Sequence, residues 1–174
     1  MFKNDNRMTV ILLLLFVLAL MIIAVMCLDV AISESETEDA YIICNPESIV
    51  NIHANPKKKS AVEGGFYAGT LIHLDGKKKN GFYHCVNVSN ETGEGWVSSK
   101  YVVFDEPTFP NCQAIVVSKG RLAARASVNG KRIRWLKPGN TVFIYCQTEE
   151  WAVTDKGYVK TEYLEVIGDK NEIN

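Results

Sequence analysis

Two lysine triplets, Lys57-Lys58-Lys59 and Lys77-Lys78-Lys79, carry the densest charge in the chain. Each stands between runs of strand-forming residues, so both are expected on loops. Gathered on one side, six ammonium groups make a basic rim that attracts polyanions such as acidic glycans or anionic lipid headgroups. Kept apart, they are solvated loop tips that stop short strand edges from pairing. Tyr67, Tyr83 and Tyr101 each lie beside a loop or turn. They are the expected exposed members of a groove, where an aromatic face can stack on a sugar or a peptide. Most other aromatics are needed as large side chains inside a small core.

The three histidines, His53, His73 and His84, and the neighbouring Cys85 invite a metal or Cys–His site. No CxxC, HxxxH or HExxH spacing supports one. His84 and Cys85 are adjacent on a strand and face opposite sides. No catalytic residue, metal or cofactor is therefore expected. Cys44, Cys85, Cys112 and Cys146 are possible disulfide partners, and four cysteines allow three pairings. Pairing Cys44 with Cys85 and Cys112 with Cys146 keeps each half of the chain self-contained. The alternative is four small buried residues that stay reduced.

The elements that must position these groups occur twice. Gly95-Trp96-Val97-Ser98-Ser99-Lys100-Tyr101-Val102 is echoed by Gly157-Tyr158-Val159-Lys160-Thr161-Glu162-Tyr163-Leu164. A repeat of this kind marks two copies of one small module. In the first, short apolar alternations at 48–53, 70–74, 82–88, 96–97 and 101–104 read as five strands separated by turn residues. Asp105-Glu106-Pro107-Thr108-Phe109-Pro110 breaks the pattern, because proline donates no ladder hydrogen bond and favours an extended link. In the second, Leu122-Ala123-Ala124-Arg125 stands where Val50-Asn51-Ile52-His53 stood, and Trp151 takes the place of the Phe82-Tyr83 strand.

The order of motifs resembles the bacterial SH3 domain family. Its members carry an opening strand like Leu-Asn-Val-Arg, a Gly-Thr before a central strand, an aromatic strand and a closing Gly-Trp-Val-x-x-x-Tyr-Leu. Val50 to His53, Gly69-Thr70 and Gly95 to Val102 fit these in turn, with His53 where arginine is usual. The second copy departs further: Ala123-Ala124 replaces Asn-Val and Tyr158 replaces Trp. The resemblance implies an all-β fold of two small SH3-like barrels in tandem, at 41–106 and 112–168, joined by a linker at 107–111. It also implies that the lysine loops flank one ligand groove, and that Tyr101 and Tyr163 follow a single 3₁₀ turn.

Ahead of the modules, Thr9 to Leu28 carries no charge. At ~1.5 Å per residue, twenty residues span roughly 30 Å, the thickness of a bilayer's hydrocarbon core. Lys3 and Arg7 precede it and an acidic stretch follows it. Residues 1–8 are thus expected in the cytoplasm, 9–28 as a transmembrane or signal helix, 29–40 as an acidic spacer and 169–174 as a tail. Cleavage near Ser33, giving a secreted protein, is the alternative. A formal net charge of −1 argues against general nucleic-acid binding. The expected role is non-catalytic binding outside the cell, to peptidoglycan or an associated anionic wall polymer. The alternative is an extracytoplasmic scaffold that recruits a protein partner; an enzyme is the least favoured reading.

Overall fold

From Glu38 onward, apolar and polar residues alternate over short runs, and each run becomes an antiparallel strand with one face turned inward. The computed structural model describes residue 11 and residues 13–21 and 37–168. The first module contains β1 (Glu38–Ile42), β2 (Val50–His53), β3 (Val62–Phe66), β4 (Leu71–Lys79), β5 (Phe82–Val86), β6 (Glu94–Ser98) and β7 (Val102–Val103). The second contains β8 (Cys112–Val116), β9 (Leu122–Arg125), β10 (Arg132–Leu136), β11 (Thr141–Gln147), β12 (Trp151–Thr154), β13 (Gly157–Lys160) and β14 (Leu164–Val166).

Each module is one seven-stranded antiparallel sheet. The first runs β3-β2-β6-β5-β4-β1-β7, and the second runs β10-β9-β13-β12-β11-β8-β14. Adding seven to every strand of the first order gives the second. This is consistent with two SH3-like domains. Ile42, Ile72, Leu74, Cys85 and Val97 fill the first core. Val116, Val142, Ile144 and Val159 fill the second. A third cluster lies on the seam, where Ile43 and Val103 meet Cys146, Trp151, Val153 and Tyr158. The Tyr158 hydroxyl donates to the Ile43 carbonyl at 3.0 Å, and the Val128 amide donates to the Lys100 carbonyl at 3.0 Å.

Seven strands replace the five expected in the first module. β1 begins at Glu38, inside the expected acidic spacer, because Ala40 and Ile42 point inward while Glu38 and Asp39 face out. β3 reads Val-Glu-Gly-Gly-Phe and buries almost nothing, so its apolar signal is faint. The Lys77–Lys79 triplet is not on a loop. It continues β4, and Lys78 and Lys79 pair with Tyr83 and Phe82. The turn is the two-residue Asn80-Gly81, with φ of 52° and 76°. Two positive φ angles define the tight hairpin turn that matches the twist of paired strands.

The disulfides are not formed: Cys44, Cys85, Cys112 and Cys146 are all free thiols. The Cys44 thiol lies against the Ser48 carbonyl at 3.5 Å and not on Cys85, its partner in the expected pairing, although both are buried in the first core. Cys112 pairs across the ladder with Ile144, not Cys146. Cys146 is therefore a diagonal neighbour, roughly 7–8 Å away, beyond the span of a disulfide. The Cys146 thiol instead faces the Cys44 carbonyl across the seam, at 4.0 Å.

Half of the expected span Thr9–Leu28, namely residues 9, 10, 12 and 22–28, lies outside the described residues. Its described part, residue 11 and residues 13–21, is helical and exposed. No helix among the described residues is long and apolar enough to cross a membrane.

Candidate binding grooves

Strand register places the same wall at the same position in both modules. Phe82 pairs with Ser98 as Trp151 pairs with Lys160. His53 pairs with Trp96 as Arg125 pairs with Tyr158. Each closing octet then makes a 3₁₀ turn, Ser99–Tyr101 or Thr161–Tyr163, that delivers its tyrosine to the same place. Two grooves result. The first holds about 430 Å³ and is walled by Val50, Asn51, His53, Phe82, Ser98 and Tyr101. The second holds about 640 Å³ and is walled by Leu122, Ala123, Arg125, Trp151, Lys160 and Tyr163. Those two sets are equivalent, residue for residue.

The octet's glycines bring the strands this close. A Cβ on Gly95 would collide with Ile52, and one on Gly157 would sit 2.7 Å from the Arg125 carbonyl oxygen. Gly157 also has φ of 118°, a conformation that side chains resist. The requirement is close approach of β6 to β2, and of β13 to β9.

The grooves differ in access and charge. Ala126 and Tyr158 of the second module also line the first groove. The second groove is lined entirely by its own module. Lys58 and Lys100 serve the first. Lys119, Arg121, Arg125 and Lys160 serve the second. Arg125 donates to the Gly130 carbonyl at 2.9 Å. Lys160 pairs with Glu150 and lies 4.4 Å from the centre of the Trp151 ring.

The sequence-derived site residues are dispersed over several places. Lys58 and Tyr101 meet in the first groove. Lys57 and Lys59 lie on the same exposed segment between β2 and β3. That segment touches the β4–β5 hairpin, where the Asn80 side chain donates to the Pro56 carbonyl at 3.3 Å. Lys78 and Tyr83 line a second cleft on the seam, facing Val128 and Trp151. The Lys78 ammonium donates to the Tyr83 hydroxyl at 3.0 Å and lies 4.5 Å from its ring centre. Lys77 is spent on Asp75 at 2.6 Å. Lys79 is exposed on β4 opposite Phe82. Tyr67 is exposed beside β3 and the start of β4, away from either groove.

Asp75 organises the bulge in β4. Its carboxylate accepts from the Lys77 amide at 3.1 Å and pairs with His84 at 2.9 Å. Burial alone would raise its pKa, but the bonds from Lys77 and His84 outweigh that and hold it at about 2. His84 is buried and stacks against Trp96, with ring centres 4.8 Å apart. Burial pushes the Cys85 and Cys146 thiols up to about 12. No group of three or more potential metal ligands converges among the described residues.

Sequence reading missed the second groove. Its signal lay in Arg125, the arginine of the opening motif, and in Arg132-Ile133-Arg134-Trp135, which alternates without an inward face. All four of those β10 residues are exposed.

A groove of aromatic and cationic side chains, built twice on one strand order, belongs to a recognisable class. Residues 48–103 match the family model for the bacterial SH3 domain. That match runs from β2 through β7 of the first module. Among solved structures the chain is similar to NlpC1 and NlpC2 from Trichomonas vaginalis, each at 14% identity. Those alignments cover 76% of this chain, with 47% and 49% of the others, at TM-scores of 0.35 and 0.34. This chain thus spans about half the length of either. It is also similar to the endolysin LysPBC5 CBD, at 9% identity and a TM-score of 0.29, over 77% of this chain and 96% of that one. No curated protein matches the chain.

Proposed function

We propose that this chain is a non-catalytic binding protein, tethered to a membrane or secreted, whose modules contact cell-wall peptidoglycan or an associated anionic polymer. The observation that carries the reading is the recurrence of one groove at equivalent positions in both modules. Core packing explains why two copies share buried residues. It also accounts for the buried aromatics Phe82 and Trp151, but not for why both copies keep a solvent-reaching tyrosine, at 101 and 163, along an open groove beside lysine or arginine. Such walls suit polymers that offer flat sugar faces and negative charge. The bacterial SH3 domain match at 48–103 supports the same assignment. On this reading the apolar run Thr9–Leu28 holds the modules at the outer face of a membrane or directs their export.

Pelleting the detergent-solubilised full chain with purified wall sacculi, across a salt series, tests the reading. Retention is expected at low salt and should fall as salt rises, because exposed charges are screened within about 10 Å at 0.1 M. Failure to pellet at any salt, together with stable capture of a soluble protein partner, would replace wall binding with scaffolding.

A further inference from the structure

The equivalent grooves are not equally available. Tyr158 and Ala126 close over the first, and Tyr158 is anchored there by its hydrogen bond to Ile43. The second has no such cover from the first module. Its chemistry has also shifted, with cations gained at three positions and Glu162 standing where the first copy has Lys100. Where the first has Ile49, His53 and Ser98, the second has Arg121, Arg125 and Lys160. With Lys119 its lining carries four cations, of which Lys160 is paired with Glu150 and Arg125 donates to the Gly130 carbonyl, leaving Lys119 and Arg121 to face a ligand. Lys119 and Arg121 form no ion pair among the described residues. The acids Glu149, Glu150 and Glu162 line a neighbouring cleft that shares Lys160 with this groove, and the Glu162 carboxylate sits beside the Tyr163 hydroxyl.

We propose that the second module's groove is a site for acidic sugars, meaning polysaccharide units that carry a carboxylate or a phosphate. Arg121 and Lys119 receive the anion, and guanidinium favours these planar or multidentate oxygens. Trp135 and Tyr163, 47% and 37% exposed, offer ring faces for the apolar face of a sugar. The Arg132 guanidinium lies 4.4 Å from the Trp135 ring centre and holds it on the rim. Trp151 separates this groove from the seam cleft. Its Nε1 is the unpartnered buried side-chain donor among the described residues. An acidic peptide fits less well, because its charges lie on flexible stems and it brings amide donors to a lining that offers no carboxylate.

This inference rests on the wall-binding reading and narrows it to one groove and one ligand class. Titration of the full chain, followed by tryptophan fluorescence, tests it with four probes. These are a galacturonic acid hexamer, a phosphate-bearing glycan oligomer, neutral maltohexaose and hexaglutamate. At least one acidic sugar should bind ten times or more tighter than both maltohexaose and hexaglutamate, and the stronger of the two identifies carboxylate or phosphate as the source. Arg121→Gln and Trp135→Ala, both at exposed positions, should each weaken that binding by about tenfold, with circular dichroism unchanged. Lys58→Gln, in the first groove, should leave it alone. Equal or tighter binding of hexaglutamate, or indifference to both substitutions, overturns the assignment. Sacculus retention without binding of either acidic sugar sinks this inference and spares the wall-binding reading; acidic-sugar binding without sacculus retention sinks that reading, and keeps the groove's ligand class but not the wall as its source.

Discussion

Asp75 shows how a single side chain can fix a local shape. The carboxylate satisfies the Lys77 amide inside the bulge and ties it to His84 on the next strand. With a folded pKa of about 2, below the unfolded value near 3.9, its contribution is complete above pH 4 and is lost as pH falls toward 2. Urea unfolding between pH 5 and pH 2 should therefore show a falling stability that Asp75→Asn flattens. An unchanged acid limb in that variant would place the titration elsewhere. The cysteines give a second residue-scale expectation. Cys85 and Cys146 are buried, with thiols held up to about 12, while Cys112 is half-exposed. In native protein, iodoacetamide should label Cys112 before Cys44, Cys85 and Cys146, read by peptide mass spectrometry. Faster labelling of Cys85, or a mass two hydrogens short, would contradict the packing. The free thiols were not legible in the sequence, because two cysteines in each small module argue for bridges while register alone decides reach. The role of Asp75 was equally hidden, since its partners lie two and nine residues away.

At the scale of elements, the closing octet was legible and its physical reason was not. Glycine at 95 and 157 suggests a turn or bulge, whereas the structure uses it for strand contact. Gly157→Ala should destabilise the protein by roughly 1–3 kcal/mol, since it combines a positive φ with a backbone collision. Chemical denaturation measures that difference, and a neutral result would mean that β13 and β9 part easily. The strands that alternation revealed are those with a buried face, such as β2, with Val50 and Ile52 inward. β3 and β10 stand at the start of each sheet's strand order and expose nearly every residue, so periodicity has nothing to report there. The Lys77–Lys79 triplet was read as a loop for a related reason. An exposed hairpin extension buries no face, and only Asn80-Gly81 betrays the pairing.

For the whole molecule, duplication was visible in the sequence, and the matching strand orders show how far it reaches. Motif comparison did not reveal the asymmetry of the pair. Tyr158 stands where the first copy has Trp96, and its hydroxyl gives the second module a hydrogen-bonding hold on the first. A phenol can donate to a carbonyl from inside an apolar seam. One copy therefore spends part of its groove on contact between modules, and the other keeps its groove open. The basic rim expected from six lysines is dispersed instead. Lys58 enters the first groove, Lys78 the seam cleft, and the second groove draws its cations from another set of residues. The most direct measurement is retention of the full chain on purified sacculi, compared between wild type and Lys58→Glu/Arg121→Glu. Salt-sensitive retention in wild type and its collapse in the paired variant is the predicted result. Undiminished retention after one cation in each groove has been replaced by a carboxylate would contradict the account.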